Sequence, residues 1–175
     1  MEKFSNIVSK VVSNFFYFSM SRYSDSNDIH IRLANMEDVE AIAILSHQLG
    51  YSVSTIAIEQ RLDQILSDSN HIIYVATGLD DRAIAWIHAY TYHSLLTNFH
   101  AEIGGLVVTE SDRGAGIGRK LLDQAESWAK TRGCQSLLVR SNIVRSAAHR
   151  FYQKCGYNQV KTSLVFHKVL SYGDL

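Results

Sequence analysis

One segment constrains this chain more than any other: Leu106-Val107-Val108-Thr109-Glu110-Ser111-Asp112-Arg113-Gly114-Ala115-Gly116-Ile117-Gly118-Arg119-Lys120. An apolar run predicts the end of a strand over Ala101–Thr109. The glycines predict a tight turn, and Ile117, Leu121, Ala125 and Trp128 recur at the spacing of one helix face. A strand that passes through glycines straight into a helix builds an anion site. The first N–H groups of the helix have no internal acceptor, its dipole favours negative charge, and glycines let a phosphate approach the backbone. Arg113, Arg119 and Lys120 add formal positive charge.

Two common phosphate loops do not fit. A Walker A loop needs Ser or Thr after its lysine, and Lys120 is followed by Leu121. The dinucleotide pattern Gly-x-Gly-x-x-Gly fails at Arg119 when begun at Gly114 and at Leu121 when begun at Gly116. What remains is Arg-x-x-Gly-x-Gly, from Arg113 to Gly118.

Around this segment the chain alternates strand and helix patterns. Residues 1–28 form a separate extension, in which Phe4, Ile7, Val8, Val11, Val12, Phe15 and Phe18 predict an amphipathic helix before a Ser/Asp/Asn-rich linker over Ser19–Asp28. From Ile29 onward one domain is expected, through residue 175. A strand over Ile29–Leu33 is followed by Asn35 as a helix cap ahead of Val39, Ile42, Leu45 and Leu49. A second helix begins near Ser54. His71–Thr77 and Ala83–Tyr92 read as a hairpin around Gly78–Asp81, and Ile117–Arg132 as a helix stopped by Gly133. A strand at Ser136–Ser141, a helix at Ala147–Cys155 closed by Gly156, and strand-like runs at Gln159–Thr162 and Leu164–Leu170 complete the order. Hairpins mixed with β-α-β crossovers indicate an α/β (α+β) fold, a central twisted sheet of six to seven strands with helices on both faces.

The chain has 175 residues, enough for a core that needs neither disulfide nor metal, and 17 basic residues balance 17 acidic ones. That balance gives no electrostatic footprint for nucleic acid or anionic lipid. Cys134 and Cys155 fit no metal or redox spacing and suggest a reducing compartment. With no long apolar run and no secretory signal, a cytoplasmic protein is expected, without membrane attachment.

The Arg113–Gly118 loop resembles the pyrophosphate-binding loop of the GNAT superfamily of N-acetyltransferases. The resemblance spans roughly residues 29–170. It opens with Ile31-Arg32-Leu33-Ala34 and Asp38, and closes with Ala148-His149-Arg150-Phe151-Tyr152-Gln153-Lys154-Cys155-Gly156-Tyr157. It implies transfer of an acetyl group from acetyl-CoA, as co-substrate, to a primary amine of a small molecule or peptide, by direct attack in a ternary complex. No metal is implied. Many members dimerise, so a homodimer is one open outcome. A non-catalytic acetyl-CoA sensor or scaffold of the same fold is the alternative.

The resemblance also assigns residues. Backbone groups of Leu106, Val107 and Val108 would hold the pantetheine arm and polarise the thioester carbonyl. The amides of Arg113, Gly114, Ala115, Gly116, Ile117 and Gly118 would take the pyrophosphate, beside Arg119. Tyr152 matches the tyrosine that protonates the departing thiolate, against the alternative of a core aromatic. Glu102 matches the glutamate that deprotonates the amine in some members; it reads equally as a solvent-facing strand residue or a partner for a substrate ammonium. His88, Tyr90 and His100 are weaker candidates for the same pocket. Where many members carry Asn seven residues before the tyrosine this chain has Arg145, with Asn142 nearby. Either residue would contact the cofactor or merely shape a turn. The chain also lacks the proline that members often place before Arg113.

Overall fold

The computed structural model describes residues 29–170. The amphipathic helix expected within residues 1–28 lies outside them. In chain order the elements are β1 (His30–Leu33), α1 (Val39–Gln48), α2 (Thr55–Leu66), β2 (His71–Thr77), β3 (Ala83–Tyr92), β4 (His100–Val108), α3 (Ile117–Thr131), β5 (Leu137–Val139) and α4 (Ser146–Lys154). They fall into two compact units that divide between Arg140 and Ser141. Among the described residues, no helix is long and apolar enough to cross a membrane.

In the first unit the strands lie in the order β1-β2-β3-β4-β5. The first four are antiparallel neighbours, and β5 joins β4 in parallel. A parallel neighbour requires a crossover, which α3 supplies. Five strands replace the six to seven expected. The runs Gln159–Thr162 and Leu164–Leu170 form no strand, and Leu164, Val165 and Phe166 are exposed. Alternation favours an extended chain, but a strand exists only once a neighbouring backbone takes up its N–H and C=O groups.

Local chemistry fixes the first turns. Asn35 accepts a bond from the Glu37 amide at 2.8 Å, and its own amide donates to Asp38 Oδ2 at 2.9 Å, a reciprocal cap before α1. Asp38 is buried because Arg32 grips both of its oxygens, Nη1 to Oδ2 at 2.7 Å and Nη2 to Oδ1 at 2.9 Å. The same guanidinium donates from Nε to Asp81 in the β2–β3 turn at 3.0 Å. One arginine thus joins β1, the entry to α1 and the hairpin. Ser54 caps α2 by accepting from the Ala57 amide at 3.2 Å.

Side chains alternate across the sheet. On one face Ile73 and Val75 pack with Ala41 and Ile42 of α1 and Leu62 of α2, with Trp86 beside them. On the other face Ala76, Ala85, Ile87, Ala89 and Ala101 have no solvent exposure. There α3 delivers Ile117, Leu121, Leu122, Ala125 and Ala129. Helices on both faces are what the pattern predicted.

The α1–α2 face changes character along its length. Trp86 continues the apolar core, whereas His88, Tyr90 and Tyr92, two residues apart on the same strand, carry the face outward as polar rings. His71 of β2 stands opposite Tyr90, and Glu102 and His100 of β4 stand opposite Tyr90 and Tyr92.

Candidate active site

Strand β4 makes the site by breaking its own regularity. Ile103 pairs with Ala89 and Gly105 with His88, which leaves Gly104 as an extra, bulged residue. The parallel pairing with β5 covers only Ala101, Glu102 and Ile103. Beyond the bulge, Gly104–Val108 keeps β3 on one side and, among the described residues, has no strand neighbour on the other. Leu106, Val107 and Val108, singled out in the sequence, therefore border an open backbone edge that an extended ligand can extend by hydrogen bonding.

This edge leads into the glycine turn. Gly114 and Gly116 have φ of +88° and +81°, and a Cβ on either would meet no atom within 4 Å. Backbone conformation, not space, demands glycine at both positions. Gly116 caps α3, whose first internal bond runs from the Lys120 amide to the Gly116 carbonyl at 3.1 Å. The amides of Ile117 and Gly118 thus open the helix ahead of its internal ladder, as an anion site requires. Gln48 at the end of α1 fixes the approach to the turn, accepting from the Glu110 amide at 3.1 Å.

The arginines serve this loop differently from their formal charge. Arg113 Nε donates to the Val108 carbonyl at 3.0 Å and tethers the turn to the strand end. Arg119 Nε pairs with Asp123 Oδ1 at 2.8 Å, one helical turn on. Ala115 lies exposed between the two left-handed glycines.

Glu102 is only 4% exposed, and its carboxylate is fully engaged. Arg140 donates Nη2 to Oε1 at 2.7 Å and Nε to Oε2 at 3.1 Å, and the Tyr90 hydroxyl donates to Oε2 at 3.1 Å. His100 Nε2 stands 3.5 Å from Oε1, while its Nδ1 lies 2.8 Å from the Asn98 carbonyl. The Arg140 hydrogen bond, assisted by Tyr90 and opposed by burial, holds the Glu102 pKa below the ordinary carboxylate value. Its solvent-facing reading does not hold. Sequence reasoning missed Arg140, because nothing in a position 38 residues further on marks it as this partner.

Of a second, half-buried pair the sequence pointed to His88 but not to its partner His71. His71 Nδ1 and His88 Nε2 are 2.9 Å apart across β2 and β3, with rings stacked at 5.2 Å. Burial, and then the neighbouring His71, push the His88 pKa down to about 4.

Asn142, Arg145 and Tyr152 belong to the second unit. Asn142 Oδ1 accepts from the Val144 amide at 3.2 Å, and its carbonyl accepts from the Arg145 amide at 2.9 Å, a turn that starts α4. The His149 ring nitrogen Nε2 lies 3.0 Å from the same carbonyl. Arg145 occupies the cap position of α4, with no side-chain capping bond. Tyr152 packs its ring against Phe151 and Tyr157, at centroid distances of 5.1 and 5.7 Å, and Gly156 with φ +91° ends the helix. Burial above all, with Cys155 adding to it, raises the Tyr152 pKa to about 12.

An open strand edge running into the N-terminus of α3 through a glycine turn gives an α/β domain a backbone edge and a helix start on one continuous path. The family of acetyltransferases known as GNAT has a model that matches residues 37–157, and the chain belongs to that family. It is, at that level, an acyl-CoA N-acyltransferase.

Among curated relatives, aminoglycoside N(6')-acetyltransferase type 1 of Serratia marcescens is 22% identical over 111 residues, covering 61% of this chain and 76% of that protein. Aminoalkylphosphonate N-acetyltransferase of Salmonella typhimurium is 41% identical over 68 residues, covering 39% of this chain and 44% of that protein. Among solved structures, the aminoglycoside 6'-N-acetyltransferase of Acinetobacter baumannii superposes with a TM-score of 0.73 at 20% identity, over 82% of this chain and 99% of that one. A further aminoglycoside N-acetyltransferase, solved in complex with CoA, superposes with a TM-score of 0.74 at 19% identity, over 80% of this chain and 94% of that one.

Proposed function

We propose that the protein transfers the acetyl group of acetyl-CoA to a primary amine of a small molecule in a single ternary complex. The observation that carries this reading is the open edge of β4 beyond Ile103, continuous with the glycine turn at the start of α3. Leu106, Val107 and Val108 offer backbone groups to a pantetheine arm, and the amides from Arg113 to Gly118 face a pyrophosphate. The curated relatives act on aminoglycosides and aminoalkylphosphonates, which supports a small amine over a protein acceptor.

In this reading the amine nitrogen attacks the thioester carbon, a backbone N–H at Val107 or Val108 stabilises the oxygen as charge develops, and the carbon–sulfur bond breaks. Tyr152 donates its phenolic proton to the departing thiolate. At neutral pH a phenol with so high a pKa is fully protonated and always able to donate. Glu102 is a weak base while Arg140 and Tyr90 occupy its oxygens, so its charge attracts and orients the acceptor's ammonium group. Asn142 and Arg145 contact the cofactor's phosphate end.

Calorimetric titration with acetyl-CoA, against CoA and ATP, tests the cofactor. A screen of 2-aminoethylphosphonate, neamine, glucosamine and spermidine by mass spectrometry tests the transfer. Selective binding with a product 42 Da heavier than one amine, an increment of about one acetyl group replacing a hydrogen, is expected. Binding without any transfer favours the sensor reading, and no binding overturns both.

A further inference from the structure

We propose that His88 accepts the proton of the attacking amine and passes it through His71 toward Asp68, so that these three side chains form the proton relay of the reaction. The proposal rests on the acyl-transfer reading above and names the base that Glu102, with its oxygens engaged, is poorly placed to be.

The tautomers follow from the contacts, starting at the surface. Asp68 Oδ1 accepts from the Asn70 amide at 2.8 Å and from Asn70 Nδ2 at 3.0 Å, and these bonds keep the carboxylate ionised. Its other oxygen faces His71 Nε2 at 3.7 Å, and the His71 amide donates to the Asp68 carbonyl at 3.0 Å. At that distance the carboxylate acts by its charge, which favours the ring proton on Nε2 and assigns His71 Nδ1 as the acceptor. At 2.9 Å, His71 Nδ1 and His88 Nε2 must share one proton, so His88 donates from Nε2. His88 Nδ1 then keeps its lone pair.

That lone pair stands over the bulge. A Cβ on Gly104 would lie 2.7 Å from His88 Nδ1, so only glycine leaves the nitrogen open. Gly104 is exposed, and the unpaired edge of β4 begins there. The groups facing His88 are His71 from β2, Tyr90 on its own strand at a ring distance of 5.7 Å, Arg61 of α2 across a shared cavity, and Glu102 through the Tyr90 hydroxyl. With its pKa at about 4, His88 is neutral at physiological pH and does not retain a proton it receives.

The step balances without any added reactant. As the amine nitrogen bonds to the acyl carbon, its proton moves to His88 Nδ1, the His88 Nε2 proton moves to His71 Nδ1, and the His71 imidazolium beside Asp68 releases its Nε2 proton to water. The carbon–sulfur bond breaks with its electron pair on sulfur. Here His88 is the catalytic residue, and His71 and Asp68 are positioning residues.

The test uses the full chain and the amine that the wild type acetylates. His88→Gln is expected to lower kcat by about 10²–10⁴-fold with acetyl-CoA affinity retained. Added imidazole should restore part of the activity of His88→Ala. His71→Asn and Asp68→Asn should lower kcat less and shift the pH profile of kcat, with Asp68→Glu regaining activity lost in Asp68→Asn. Nitrogen-15 spectra of the wild type should show both rings protonated at Nε2. A kcat for His88→Gln close to wild type, or a His88 ring protonated at Nδ1, overturns the relay. Loss of acetyl-CoA binding by the wild type overturns the acyl-transfer reading instead, and the spectra still decide the tautomers.

Discussion

Arg140 closes on Glu102 through two parallel hydrogen bonds of 2.7 and 3.1 Å, with the carboxylate buried and the arginine side chain 70% exposed. Glu102 lies within the β4–β5 ladder, and Arg140 directly follows the last residue of β5. Arg140→Leu strips the buried carboxylate of its cation. The loss is expected to be about 2 kcal/mol, below the range for fully buried pairs because water already screens the guanidinium. Urea unfolding at pH 7 measures it.

The same pair sets an acid limb. Arg140 lowers the folded-state pKa of Glu102 below its unfolded value of about 4.3, so this stabilisation is complete above that pH and disappears as pH falls through the folded value. Urea midpoints should decline below about pH 4.3, and the decline should be shallower in Arg140→Leu. Equal slopes in the two proteins would assign the limb to other carboxylates.

Tyr152 sets the opposite limb. Its pKa rises from 10.0 in the unfolded chain to about 12 in the folded one, so its contribution is complete below pH 10 and is lost between these values as the pH rises. Tyr152→Phe should flatten alkaline unfolding over that window. It should also lower kcat while leaving acetyl-CoA affinity nearly unchanged.

Gly116→Ala places an L side chain at φ +81°. The strain is expected to cost about 1–2 kcal/mol and to tilt the first amides of α3 away from their common direction. Calorimetry should register weaker acetyl-CoA binding, together with a lower urea midpoint. An unchanged affinity would separate the turn from the pyrophosphate.

Gly105→Ala tests packing alone. Its Cβ would stand 2.6 Å from Trp86 Cη2 and 2.7 Å from Cζ3, forcing the indole out of the core beside α1 and α2. A loss of about 1–3 kcal/mol is expected in urea unfolding.

Much of the molecule was legible because its causes are local. Period-two alternation placed β2 and β3 at the bounds the structure shows, and Asn35, Ser54 and Gly156 marked helix ends through their own side chains or backbone freedom. The glycine turn announced itself for the same reason, since only glycine holds φ near +80° without strain. Alternation could not decide residues 159–170, where strand formation depends on a partner edge elsewhere in the chain.

Sequence by itself thus determined the hairpin, the helix faces and the loop where an anion can sit, all set by chemistry within a few residues. Only the tertiary structure decided that Arg140 would close on Glu102, that His71 would meet His88, and that a bulge would set Gly104 against His88 Nδ1. Those depend on strand register. Register brings together residues far apart in the chain, and no residue type or spacing along it records which of them will touch.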